Sequence, residues 1–258
     1  MSYLNEIAAW KLSILILLVI LTSTFIGNII GKLKKPKEEH LTESSSDFSS
    51  FFGLLFLILA FTFGMSINRY DTRRQIIIQE SNTISTALLR ADLYAEKERL
   101  MFRNDFKQYL EARINYFKVG IDTKKREQLN ILTRSMSNKL WDRASRLSHN
   151  YSNTDATLQM IPALNEMFDI TTTRAAAENA KIPDSIIWLL FILTFITSFF
   201  SGYSSASKDS VDWFANLGFG IMISLTLLFI LDLDRPYRGF VTLDESNKSI
   251  IELRNYFN

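Results

Sequence analysis

The chain has 258 residues, 47% apolar and 13% aromatic, with a formal net charge of +2. So small a charge does not by itself imply a nucleic-acid partner, and the absence of cysteine excludes disulfides, thiolate metal sites and cysteine nucleophiles. His40 and His149 are the only histidines, and neither has a second ligand-type residue at a helical spacing, so no metal or cofactor is expected.

The apolar residues cluster into runs long enough to cross a bilayer, with the charges between them. Leu12 to Gly31 is the first such run, at about 20 residues enough for a hydrocarbon core of about 30 Å. It is longer than a signal-peptide core and lacks a basic cluster before it, which predicts a permanent anchor. It ends at Lys32, Lys34, Lys35, Pro36 and Lys37, and a polar linker with Ser44, Ser45, Ser46, Ser49 and Ser50 follows. The second span is Phe51 to Ile67, and with no Gly or Pro after it the helix is expected to continue into water through Arg90.

Helical periodicity then holds to about residue 182, with almost no strand signal. Phe102, Phe106, Tyr109, Ile114 and Phe117 form one stripe, Gly120 breaks that helix, and Asp122 has the character of the next N-cap. Leu129, Leu132, Met136, Leu140, Ala144 and Leu147 mark the face of the following helix. His149 to Asp155 reads as a loop. The last helix of this region has Leu158, Ile161, Leu164, Phe168 and Ala175 on one side, with Pro162 expected to kink or restart it. Pro183 and Asp184 open the third span, Ser185 to Tyr203. Trp213 to Leu231 is the fourth, followed by a short amphiphilic tail. The expected fold is thus an all-α membrane protein. Residues 1–67 form a first transmembrane pair, 68–183 a cytoplasmic helical domain, 184–233 a second pair and 234–258 a cytoplasmic tail.

Lys11, Arg69, Arg73, Arg74, Arg174, Lys181, Arg235 and Arg238 lie on one side of these spans, and Lys32, Lys34, Lys35, Lys37 and Lys208 on the other. The larger group predicts the cytoplasmic side and places both termini there. No Gly-rich phosphate loop, Gly-x-Ser-x-Gly or His-Glu-x-x-His motif is present, and no enzyme is expected. No Asp, Glu, Lys or Arg lies mid-span, which disfavours a proton-coupled transporter. The surplus of basic residues from Lys118 to Arg146 could concentrate anions near a pore mouth or simply form a solvated face.

Gly53, Leu57 and Phe61 lie four residues apart on one face of the second span, with Phe56 and Phe63 on another. Several subunits presenting such a face would form an apolar neck that blocks ions by dewetting; lipid contact and helix packing are the alternative. At the inner edge, Arg69, Arg73 and Arg74 follow span two while Asp232, Asp234 and Arg235 end span four. They fit a salt-bridge clamp, a vestibule ring or contact with lipid headgroups.

The stretch from Leu54 to Leu89, with Ala60-Phe61-Thr62-Phe63-Gly64-Met65 and Asn68-Arg69-Tyr70-Asp71-Thr72-Arg73-Arg74, resembles the second helix of bestrophin channels. Glu80-Ser81-Asn82-Thr83-Ile84, Leu88 to Leu93, Leu164 to Asp169 and Leu231-Asp232-Leu233-Asp234-Arg235-Pro236 are similar to the bacterial bestrophin-like family. The resemblance implies a homo-oligomeric, pentameric ion channel in a bacterial inner membrane. Its partners would be lipid, copies of itself and permeant ions, with no nucleic acid. It also implies a neck at Gly53, Leu57 and Phe61, with Thr62 or Ser66 nearby. Gly53 would widen one level where bestrophins carry a bulky side chain. The family's acidic calcium clasp is reduced to Asp232 and Asp234, too few oxygens for Ca²⁺, so calcium gating does not carry over. A membrane-anchored helical interaction or signalling module without conduction is the alternative.

Overall fold

The computed structural model describes residues 9–34, 39–207, 212–237 and 239–257, with the backbone alone for 34, 39–49 and 207. Lys35, Lys37, Lys208 and Arg238, used above to orient the spans, lie outside the described residues, as do Pro36 and the side chains of Lys34, His40, Ser44–Ser46 and Ser49. Among the described residues all regular structure is helical: α1 (Ala9–Lys34), α2 (Glu39–Arg90), α3 (Glu96–Lys118), α4 (Thr123–Ser148), α5 (Thr154–Asn179), α6 (Asp184–Ser204), α7 (Trp213–Leu233) and α8 (Asp244–Glu252), with short 3-10 turns between some of them. Four helical stretches are long and apolar enough to cross a membrane, supplied by α1, the first part of α2, α6 and α7. Such helices satisfy every backbone polar group internally, as hydrocarbon demands.

The chain divides into two compact units, Met1–Arg69 with Lys181–Arg235, and Tyr70–Ala180 with Pro236–Asn258. In the first unit α1 packs on α6 and α7. Leu12, Ile16 and Ile20 of α1 meet Leu190 and Leu193 of α6 and Ile223, Leu227 and Ile230 of α7, and Leu55 and Leu59 of α2 join the same cluster. Apolar attraction cannot hold helices together in lipid; close packing and hydrogen bonds do. Gly27 and Gly31 put the backbone of α1 against Phe199 and Tyr203 of α6, and Gly202 of α6 lies on the Thr24 carbonyl. Three intramembrane polar side chains bond between helices: Ser13 Oγ donates to Ser224 O at 2.8 Å, Ser23 Oγ to Phe195 O at 3.0 Å, and Ser201 Oγ to Asn216 Oδ1 at 2.8 Å.

The second unit is built from α2 beyond Tyr70, α3, α4, α5 and α8. Its core joins Ile77, Ile84 and Leu88 of α2, Phe102, Phe106, Tyr109 and Ile114 of α3, Leu140 and Ala144 of α4, and Met160, Leu164 and Met167 of α5. Leu243, Ile250 and Leu253 from the amphiphilic tail complete it. Gly120, at φ +63, ends α3 in the left-handed conformation that a helix C-terminus favours. Asp122 caps α4 by accepting from Lys125 N at 3.1 Å.

Three local expectations are revised in part. The serine-rich linker is the first part of α2, because nothing between Glu39 and Phe52 breaks a helix. α5 does not restart at Pro162 but runs through it; the proline is exposed, so the Leu158 carbonyl that loses its partner there can turn to water. The core face of α5 carries Met160, Ala163, Leu164, Met167 and Ile170, and Leu158 is exposed, as is Leu132 on α4.

The glycine contacts of α1 and α6 give a direct test. A Cβ at Gly202 would collide with the Thr24 backbone, whereas one at Gly53 would meet nothing within 4 Å. Gly202→Val is expected to destabilise the protein by about 3 kcal/mol or more, and Gly53→Ala to leave it unchanged. Thermal unfolding in detergent measures both, and an equally stable Gly202→Val would refute the packing.

Candidate pore-lining helix and a buried charge network

The first part of α2 is the least covered of the four spans: 22% of its apolar window is buried, against 39% in each of the others. That leaves the widest uncovered surface on this helix. Its buried stripe is Leu55, Leu59, Thr62 and Ser66. Aromatic side chains hold the N-terminal end of this span, with Phe51 stacked on Phe200 at 5.5 Å and Phe52 and Phe56 edge-on to Phe219 at 5.4 and 6.2 Å. The uncovered face carries Gly53, Leu57 and Phe61, one helical turn apart, and Phe61 is 67% exposed. Thr62 faces the other way. It is buried, and its hydroxyl donates to Ile58 O at 2.7 Å, as Ser66 does to Thr62 O at 3.2 Å.

Several of the charges beyond the spans have partners within their own unit. Arg73 is buried and caps the end of α5, Nε donating to Ala177 O at 3.0 Å and Nη2 to Ala180 O at 2.7 Å. Arg74 makes an exposed 3.8 Å pair with Asp71, a contact of little energetic weight. Arg69 is half-buried. Asp232, Asp234 and Arg235 are buried together at the end of α7, where the Asp234 carboxylate accepts from Ile182 N at 3.1 and 3.2 Å. His149 is exposed, with Nδ1 2.9 Å from Ser145 O.

The largest polar feature of the second unit was not singled out from the sequence. Glu80 of α2 is fully buried between Arg113 of α3 at 2.5 Å and Arg174 of α5 at 2.7 Å. Arg174 also donates to Glu178 at 3.0 Å and to Asn247 of α8 at 3.0 Å. Glu178 in turn accepts from Tyr116 at 2.9 Å and from Arg126 at 2.7 Å. Burial pushes the Glu80 carboxyl up, but the guanidiniums of Arg113 and Arg174 outweigh it and hold the group at about 2.

Residues 14–247 match the Bestrophin-like domain family. The chain belongs to that family. A bacterial bestrophin homologue from Klebsiella pneumoniae, solved by crystallography as a point mutant, shares the fold with a TM-score of 0.61 at 14% identity, over 94% of this chain and 99% of that one. None of the curated proteins compared with the chain matches it.

In this bestrophin-like chain the buried network had a sequence signal. Glu80 falls between Ile77 and Ile84, Arg113 between Tyr109 and Phe117, and Arg174 and Glu178 continue the Met167–Ile170 stripe, so all four charges occupy core positions of their helices. Because Glu80 is depressed in the folded state, its contribution to stability is complete above its ordinary value of 4.5 and is lost as the pH falls toward about 2. That contribution is on the order of 3 kcal/mol. Glu80→Gln, which leaves the buried Arg113 without a carboxylate and Arg174 with Glu178 alone, should cost about 3 kcal/mol or more at neutral pH. It should also remove this acid-dependent component. Denaturation measured from pH 7 down to 2 for both proteins reads the difference, and parallel pH profiles would contradict it.

Proposed function

We propose that the chain is a subunit of a homo-oligomeric, pentameric ion channel of a bacterial inner membrane, and not an enzyme. In this reading α2 lines the pore and Gly53, Leu57 and Phe61 form its apolar neck. Both termini and the second unit lie in the cytoplasm. The observation that carries the reading is the uncovered apolar face of α2, the least buried of the four spans, with Leu57 and Phe61 projecting from it. Family membership supports it, since bestrophins are ion channels.

The physical logic is that of a hydrophobic gate. A ring of Leu57 and Phe61 side chains presents no hydrogen-bonding group to an ion, so a narrow neck excludes water and holds a barrier to ions unless it widens. Gly53, without a side chain, makes the outer level wider than the two below it. The Lys and Arg excess at the inner span ends sets the orientation.

Ion flux from purified protein in liposomes tests the proposal. Wild type should conduct, and Phe61→Ala, which removes the bulkiest ring of the neck, should raise the flux several-fold. Absence of flux from both proteins, with anion and cation gradients and across a range of voltages, would sink the channel reading.

A further inference from the structure

A pocket of about 90 Å³ opens where α3, α4 and α5 meet, large enough for several atoms beyond a single water. Three guanidiniums line it, those of Arg113, Arg134 and Arg174, and its lining includes no carboxylate. Arg113 is 3% exposed and spends only Nε, on Glu80 behind it. Its Nη1 and Nη2 make no hydrogen bond among the described residues. Its guanidinium carbon lies over the Tyr116 ring, 4.8 Å from the centroid. Arg174 is engaged at all three nitrogens by Glu80, Glu178 and Asn247 and adds charge alone. Arg134 stands exposed at the rim.

The charges around the pocket do not balance. Arg113, Arg126 and Arg174 share only two carboxylates, Glu80 and Glu178, before Arg134 is counted. Burial pushes the neighbouring Tyr109 and Tyr237 phenols up, so neither supplies the missing negative charge. Excess positive charge in a buried cluster is costly unless an anion answers it. The hydroxyls of Thr133, Thr171 and Thr172 already donate to Leu129, Phe168 and Asp169 carbonyls, which leaves the arginines, with the Asn130 amide, as the donors of the lining.

We propose that this pocket binds a small tetrahedral oxyanion, a phosphate or sulfate group, held by the Nη donors of Arg113 and by Arg134 with Arg174 adding charge behind them. Guanidiniums match such oxygens in geometry and charge. The site is read from the second unit alone and stands whether or not the protein conducts ions.

Isothermal titration calorimetry of the full chain in detergent, with phosphate, sulfate or glycerol phosphate added at constant ionic strength, tests it. Wild type should show saturable binding and a matching rise in melting temperature. Arg134→Gln, at an exposed position, should weaken binding roughly tenfold without changing the anion-free melting temperature. Ala175→Leu, which fills the pocket while keeping every charge, should abolish binding. Tighter binding of glycerol phosphate than of inorganic phosphate would identify the phosphate of a larger molecule as the ligand, and the reverse a free ion; either supports the site. No saturable binding to wild type, or equal binding to wild type and Arg134→Gln, would overturn it.

Discussion

The Glu80 carboxylate, locked between Arg113 and Arg174, is the interaction on which the second unit turns. It joins α2, α3 and α5 at a single point, and through Arg174 it reaches Asn247 of α8. The surrounding core of Leu, Ile, Phe and Met would tolerate small slips of one helix along another, because apolar packing accepts many arrangements of similar volume. A carboxylate shared by two guanidiniums does not tolerate them. Sliding α2 or α3 would leave the Arg113 charge buried without its carboxylate, at a cost of several kcal/mol. The network therefore fixes register, and the apolar residues around it supply most of the drive to bury surface.

Much of this was legible in the sequence, for reasons that differ by element. Length and apolarity are nearly sufficient for a span, so four were readable from composition alone. Gly120 and Asp122 are local signals whose physics acts within a few residues. The face of α5 was less legible, because the apolar stripe from Leu158 to Phe168 meets the core fully only at Leu164, with Ile161 and Phe168 packed at its edge and Leu158 exposed. The buried charges show the same limit more sharply. Each sits on a core stripe, yet Glu80 meets partners 33 and 94 residues away, and no local rule pairs residues across such distances.

The candidate neck shows how much one residue of helical rotation decides. Phe61 and Thr62 are adjacent, but successive side chains point about 100° apart around a helix. Phe61 stands on the uncovered face, and Thr62 turns inward to bond the Ile58 carbonyl. A hydroxyl so engaged does not project where a permeating ion would pass in a pore lined by Leu57 and Phe61. Under the channel reading, that leaves the neck with apolar contacts and no polar relay.

The four spans are held in two different ways, and the difference bears on what α2 can do. α1 meets α6 backbone to backbone through Gly27, Gly31 and Gly202, where any added side chain would collide. α2 is instead held by side chains, with Leu55 and Leu59 in the core and phenylalanine rings against Phe200 and Phe219. Gly53 and Gly64, on its uncovered surface, have nothing near where a Cβ would stand. In hydrocarbon an apolar face gains little by being covered for its own sake, so shape governs what packs there. Glycines beside Leu57 and Phe61 give α2 a surface of alternating hollows and projections. Such relief suits close approach by a neighbouring helix along the hollows while the projections remain free. An α2 presenting this relief to copies of itself would thus supply both subunit contact and constriction from one helix.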